Sequence, residues 1–296
     1  MRVVVTGGNG RVGRSTAQCL VARGHEVLVV DRSRQDFSVE GAAFAAANLL
    51  DPESFEGVCA GADALVHLAG YPAPTPAAPW QSFELNVMTS FNALAVAARL
   101  RIPRSVHASS ASALGMAWAE ETQMPRYVPI DDNHPLTPAE HYGLSKCFTE
   151  LSAQSFVRET HQSAIVLRFP RVMTTADLEA TVPLVAENPA DRTSMRDLWS
   201  YIHLDDIGSS FADAVESPLE GFGRATVVAP DTLSRTPTSV LLSEHYPEVP
   251  VVRPIIGRAP AWDLESARSV LGRVPRLSWT GLPSFTSAND HTRSFS

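Results

Sequence analysis

The chain has 296 residues, 44% hydrophobic and 19% charged, which is enough apolar material for one large core and excludes a disordered chain. Its formal net charge of −8, with Lys and Arg scattered, argues against nucleic acid or an anionic membrane as partner and for a small-molecule substrate. No run approaches the ~18 apolar residues of a membrane span, and Met1-Arg2 opens without a secretory signal, so a soluble fold starting at residue 1 is expected.

Short apolar runs alternate with stretches of helical period. Strands are expected over Arg2 to Thr6, Glu26 to Asp31, Ala42 to Ala47, Ala64 to Ala69, Ser105 to Ser109 and Ala164 to Phe169. Helices are expected over Arg11 to Arg23, Pro52 to Cys59, Gln81 to Arg101 and Pro138 to Thr160. This alternation requires crossover connections and predicts an α/β fold with a doubly wound parallel sheet. After Pro170 the rhythm loosens. Strands at Tyr201 to Leu204 and Ala225 to Val228, and helices at Asp205 to Glu216, Pro237 to Glu244 and Leu264 to Leu271, suggest a small C-terminal substrate-side region. The chain divides accordingly into a nucleotide core (1–170), a mixed region that completes the sheet and forms the substrate pocket (171–283), and a polar tail expected to fray (284–296). Two proline-bearing connections, Tyr71 to Trp80 and Gly115 to Thr137, are long enough to be lids or binding loops.

Between the first strand and the first helix lies Thr6-Gly7-Gly8-Asn9-Gly10-Arg11-Val12-Gly13. Glycines at such a turn let backbone N–H groups approach a pyrophosphate at the helix N-terminus. Gly8, Gly10 and Gly13 fit G-x-G-x-x-G, and Gly7, Gly10 and Gly13 fit G-x-x-G-x-x-G. The second strand ends at Asp31, eighteen residues after Gly13, where a carboxylate can accept from the adenosine ribose hydroxyls. Asp31 favours NAD by repelling a 2′-phosphate, whereas Arg32 beside it leaves NADP open.

Tyr142-Gly143-Leu144-Ser145-Lys146 begins a long helix, and the i to i+4 spacing puts Tyr142 and Lys146 on one face. A free phenol titrates near 10, and a neighbouring ammonium is expected to lower it. Upstream, a strand ends in Ser109-Ser110-Ala111-Ser112 at the edge where open α/β sheets bind ligands, so Ser110 can hold a substrate oxygen for Tyr142, with Ser112 beside it. Together these residues suit proton exchange at a carbinol next to a nicotinamide.

With these motifs in order, the chain resembles the extended short-chain dehydrogenase/reductases of the NAD-dependent epimerase/dehydratase family, whose fold is the Rossmann type. Further matching segments are Asn48-Leu49-Leu50-Asp51, Val66-His67-Leu68-Ala69-Gly70, Asn86-Val87, Leu167-Arg168-Phe169 and Tyr201-Ile202-His203-Leu204-Asp205-Asp206. The resemblance implies that Leu68, Ala69 and Gly70 border the cofactor pyrophosphate and ribose, that Asn48 and Leu49 flank adenine, and that Phe169 lies on the cofactor. It also implies that Asn86 supports Lys146 through a proton relay, and that the protein dimerises through helices including the Tyr142 to Thr160 segment. Arg171 replaces an amide that often seats a sugar nucleotide. Short length and Arg196 are similar to the uronate dehydrogenase group, in which an arginine grips the substrate carboxylate; Arg171 is the second candidate.

The expected reaction is hydride transfer between nicotinamide and a secondary alcohol or ketone of a sugar or sugar acid. The alternatives are redox-neutral epimerisation and a non-catalytic NAD(P) sensor. Dehydration normally needs an acidic pair where Ala111 and Ser112 stand. His67, His107 and His203 lack metal-ligand spacing and read as core residues, so no metal is expected. Cys19, Cys59 and Cys147 suggest no disulfide framework, and hence a reducing cytoplasm.

Overall fold

A computed structural model describes residues 1–34, 37–121 and 123–286. Seven strands form one parallel sheet in the order β3-β2-β1-β4-β5-β6-β9. They are β1 (Arg2–Thr6), β2 (Glu26–Asp31), β3 (Ala43–Ala46), β4 (Ala64–His67), β5 (Arg104–Ala108), β6 (Ser163–Arg168) and β9 (Phe222–Thr226). Three long helices, α1 (Arg11–Ala22), α3 (Pro79–Leu100) and α4 (His141–Thr160), supply most of the crossovers, with α2 (Pro52–Cys59) between β3 and β4. The order reverses beside β1, where the chain steps from β3 at one edge to β4 on the other side, and a crevice opens there at the carboxyl ends of the strands.

Alternation along the strands builds two cores. Val3 and Val5 face one side with Val29, Ile207 and Phe211, while Val4 faces the other with Leu65, Ala93 and Phe156. Each such side chain, fully buried, contributes about 1.5–3 kcal/mol. A third cluster around Leu114, Val128, Trp199, Tyr201, Trp262 and Trp279 lies on the substrate side.

The later part of the chain returns to the sheet. Helix α7 (Leu204–Glu216) packs on α1, with Ser15 Oγ donating to the Leu204 carbonyl at 3.0 Å, and β9 pairs with β6 from Ala164↔Phe222 to Arg168↔Thr226. Around them lie β7 (Val172–Met173) paired with β8 (Ile202–His203), then α5 (Thr175–Glu187), α6 (Arg192–Arg196), α8 (Thr238–His245), α9 (Glu265–Leu271) and α10 (Pro283–Thr286).

Several expectations need correction. Helix α4 starts at His141, not Pro138, because the Glu140 side chain caps it by accepting from the N–H groups of Tyr142 and Gly143. The last strand starts earlier than Ala225 and stops at Thr226. Strand β7 and helices α5 and α6 were not expected. Pro183 inside α5 reads as a breaker, yet a reciprocal Thr174–Asp177 capping box starts the helix and Leu178, Val182 and Val185 bury its inner face. The connection from Gly115 to Thr137 is anchored, with Val128 and Ile130 bridging to Val251 and Trp262. The presumed tail is helical over its first residues, where the Phe285 ring lies 5.0 Å from that of Trp279; residues 287–296 lie outside the described residues. Among the described residues no helix is long and apolar enough to cross a membrane.

Candidate active site

A cleft of about 850 Å³ runs along the carboxyl ends of the strands, from the glycine turn to α6. Gly7, Gly10, Arg11, Val12 and Gly13 form one end. Gly7 has φ +68°, and a Cβ there would stand 2.6 Å from the Ala69 nitrogen, so the turn is pressed against the β4 loop. A Gly8 side chain would instead run into Val29 beneath the sheet, which makes Gly7, Gly10 and Gly13 the trio that faces the cleft. Helix α1 begins at Gly10 with no side-chain cap and no acidic residue in its first turn, leaving free N–H groups and a favourable dipole for a diphosphate.

The second strand carries the Asp31 carboxylate to the cleft wall beside Arg32. It accepts from the backbone N–H groups of Asn9 at 3.0 Å and Arg32 at 2.8 Å, which fixes its direction. Asn9 itself is not on the wall; its amide donates to the Ser33 carbonyl at 2.7 Å. Asn48, Leu49, Leu68, Ala69, Gly70 and Phe169 all line the same cleft. An uncapped helix start, a glycine cradle too tight for a Cβ and a carboxylate at the end of β2 together fit a dinucleotide.

At the centre, Ser110, Ser112, Tyr142 and Lys146 converge. The Ser110 side chain lies close enough to the Tyr142 hydroxyl to favour its ionised form. Ser110 Oγ donates to Ser112 Oγ at 3.1 Å, which also accepts from the Trp118 indole at 3.1 Å. Lys146 Nζ donates to the Ala108 carbonyl at 3.1 Å and stands 5.5 Å from the centroid of the Tyr142 ring. Burial pushes this ammonium down to about 8. The expected lowering of the phenol is not the balance the protein alone strikes. Burial pushes Tyr142 up to about 12, Ser110 opposes that shift, and the Glu140 charge adds to it.

Asn86 lies behind the wall. Its Oδ1 accepts from the Tyr71 N–H at 2.8 Å, and its Nδ2 donates to Ser145 Oγ at 3.3 Å. It therefore holds the Gly70–Tyr71 turn against α4 and makes no direct bond to Lys146. His67 and His107 pack ring to ring at 5.6 Å, and burial drives both toward the neutral form, His107 down to about 3.

The substrate-side expectations divide. Arg171 lines the cleft, but Arg196 does not; a terminal nitrogen of Arg196 donates to the Glu120 carbonyl at 3.0 Å and ties α6 to the long connection. Its neighbour Asp197 takes the wall position, together with Thr193. Sequence alone did not single out Asp197, Thr193 or Trp118. Trp118 lay inside a connection already marked as a binding loop, whereas adjacent charges at 196 and 197 carry no signal of which one turns inward.

The fold and its glycine turn define a doubly wound dinucleotide-binding protein. Residues 3–211 match the family described as the NAD dependent epimerase/dehydratase family, and the chain belongs to it. L-arabinose 1-dehydrogenase (NAD(P)(+)) of Haloferax volcanii is 30% identical over 155 residues, covering 50% of this chain and 58% of that protein. The chain spans a little over half the length of such curated relatives, as with the 55% of a Methanocaldococcus jannaschii putative UDP-glucose 4-epimerase. Uronate dehydrogenase from Agrobacterium tumefaciens shares the fold at TM-score 0.68 and 20% identity, covering 100% of this chain and 90% of that one. UDP-glucose 4-epimerase from Bifidobacterium longum, solved with NAD+ and UDP, does so at TM-score 0.69 and 18% identity over 100% of both chains.

Proposed function

We propose that the protein is an oxidoreductase acting on a secondary alcohol or ketone of a small polar substrate such as a sugar or sugar acid. The observation that carries this reading is the convergence of Tyr142, Lys146 and Ser110 on the wall of the cleft that also opens on the glycine turn. Gly7, Gly10, Arg11, Val12 and Gly13 would hold the NAD diphosphate, Asp31 the adenosine ribose, and Asn48 and Leu49 the adenine. Bound NAD would supply a hydride acceptor or donor for the substrate carbon, and its oxidised ring would add positive charge that favours phenolate. At the substrate oxygen, Ser110 donates a hydrogen bond and Tyr142 takes the proton in oxidation or gives it in reduction. Lys146 would supply charge beneath the phenol and a donor for the nicotinamide ribose, and Asn86 would support it through a proton relay. Trp118 and Tyr71 form apolar walls that exclude water.

Incubation with NAD and a panel of aldoses, uronates and secondary alcohols should produce reduced nicotinamide in stoichiometric excess over enzyme. The likeness to UDP-glucose 4-epimerases supports a second reading, internal epimerisation. In that case a nucleotide sugar would change configuration while no reduced nicotinamide accumulates.

The division at residue 170, a cytoplasmic setting and a homodimer complete the proposal. The dimer is supported by apolar side chains on the outer faces of α3 and α4, where Phe91 and Leu151 are 54% and 59% exposed beside Met88, Leu144 and Phe148. Sedimentation of the native protein and of a Phe91→Glu variant tests it; a native monomer sinks it.

A further inference from the structure

The substrate end of the cleft carries two ionic side chains without partners among the described residues. Nε and one terminal nitrogen of Arg171 are sealed from solvent and make no hydrogen bond. The Asp197 carboxylate, on the same wall, makes neither a hydrogen bond nor an ion pair with a described residue. Folded proteins pair nearly all sealed polar groups, so the unpaired Arg171 nitrogens beside a carboxylate that opens on the same cleft need a reason. They are near enough for Arg171 to oppose the upward push that burial gives the Asp197 carboxyl, to about 6, yet they do not close on each other.

The backbone sustains this placement against its own preference. Leu198 and Trp199 follow Asp197 directly, and both adopt left-handed conformations, with φ of 53° and 55°. Bulky L-residues avoid that region because Cβ meets the following carbonyl. Here both side chains are fully buried, the Trp199 indole donates to the Pro189 carbonyl at 2.7 Å, and the two backbone N–H groups donate to Met195 and Ser194. Burial and hydrogen bonding in the turn thus hold an unfavourable geometry whose result is a carboxylate on the cleft wall.

We infer that Asp197 is a specificity-determining residue which, with Arg171, forms a charge-balanced receptor for a neutral polyhydroxylated substrate and disfavours the corresponding free acid. The inference rests on the redox reading above and names its substrate class. A hydroxyl satisfies both sides at once, because its oxygen accepts from the guanidinium while its hydrogen goes to the carboxylate. A ligand carboxylate would satisfy Arg171 but set a second negative charge against Asp197 in a partly desolvated cleft. Arg171 by itself invites an acid; the pair reverses the preference.

D-galactose and D-galacturonate share a ring configuration and differ in a hydroxymethyl against a carboxylate, so their binding to the NAD-saturated protein, measured by calorimetry, isolates this charge. Native protein should bind galactose the more tightly, and Asp197→Asn should shift the affinity ratio toward galacturonate by about tenfold or more. Asp197→Ser, with circular dichroism to confirm folding, repeats the test without an isosteric side chain. A native preference for galacturonate, an unchanged ratio in both variants, or binding of neither ligand overturns the inference. If the ratios shift as expected while neither ligand ever yields reduced nicotinamide, the redox reading fails and the charge receptor stands.

Discussion

Glu150 receives both Nε and a terminal nitrogen of Arg168, each at 2.7 Å, in a place where neither side chain exceeds 2% exposure. The same carboxylate accepts from Ser109 Oγ at 2.7 Å and lies 3.0 Å from Nε of Arg224. Glu150 is one turn beyond Lys146 on α4, and Ser109 precedes Ser110, so this buried ion cluster joins the helix bearing Tyr142 to the strands β5, β6 and β9. Its attraction to the two guanidinium groups outweighs burial and holds the Glu150 carboxyl below its ordinary value.

Removing one member should be costly. Arg168→Leu leaves the buried carboxylate with Arg224 and the Ser109 hydroxyl but without its bidentate partner, and is expected to lower unfolding free energy by about 3–5 kcal/mol. Urea denaturation of native and variant protein measures it, and a loss smaller than about 1 kcal/mol would show that the pair is not the clamp described.

Tyr142→Phe deletes one oxygen from a buried ring and leaves the glycine turn intact. NAD affinity should stay within about threefold of native, while turnover falls by roughly 10²–10⁴-fold, the range for losing a positioned acid–base group. Fluorescence titration with NAD alongside steady-state rates checks both halves. Retained turnover removes Tyr142 from the chemistry.

Lys146 gives a prediction in pH. Burial lowers its folded-state value to about 8 from an ordinary 10.5, so between those values the unfolded chain holds more protons than the folded one. Folded protein then gains stability as pH rises through that window, and below it carries the full cost of the buried charge. Relative to Lys146→Met, which has no such proton, the native melting temperature should improve between about pH 7.5 and pH 10. Parallel thermal melts of the two proteins decide the matter; a constant difference across the window contradicts the burial.

Gly7→Ala places a methyl group 2.6 Å from the Ala69 nitrogen in a left-handed residue. The β4 loop must retreat, and both stability, by about 1–3 kcal/mol, and NAD affinity should fall. An NAD dissociation constant equal to the native one would mean that the contact between the turn and the loop does not shape the cofactor site.

Much of this architecture was legible because the physical signals were local. Arg2–Thr6, Glu26–Asp31 and Pro52–Cys59 lie where expected to the residue. The two strands are bounded by turn chemistry, and Asp51 caps the helix through the N–H groups of Glu53 and Ser54. The glycine turn, Asp31, Ser110, Tyr142 and Lys146 were likewise readable, since strand ends and helix spacing place them. What stayed hidden depends on tertiary contacts. Helix α5 survives an internal proline by burying Leu178, Val182 and Val185. Asp197 reaches the cleft through a Leu-Trp turn that local preference opposes, and Arg196 is drawn away by a backbone carbonyl 76 residues distant in sequence. The sign of the shift at Tyr142 also escaped, because spacing reveals a nearby ammonium but not the depth at which the phenol is buried.

Helix α7 sits so closely on α1 that a Cβ at Gly208 would fall 2.1 Å from Ser15 Oγ, and β9 covers the flank of β6 along five paired positions. The segments before and after residue 170 are therefore mutually dependent for folding. A truncated protein stopped at residue 170 would bare the hydrogen-bonding rim of its sixth strand together with the apolar stripe of its first helix, a combination that drives self-association rather than yielding a separable nucleotide module.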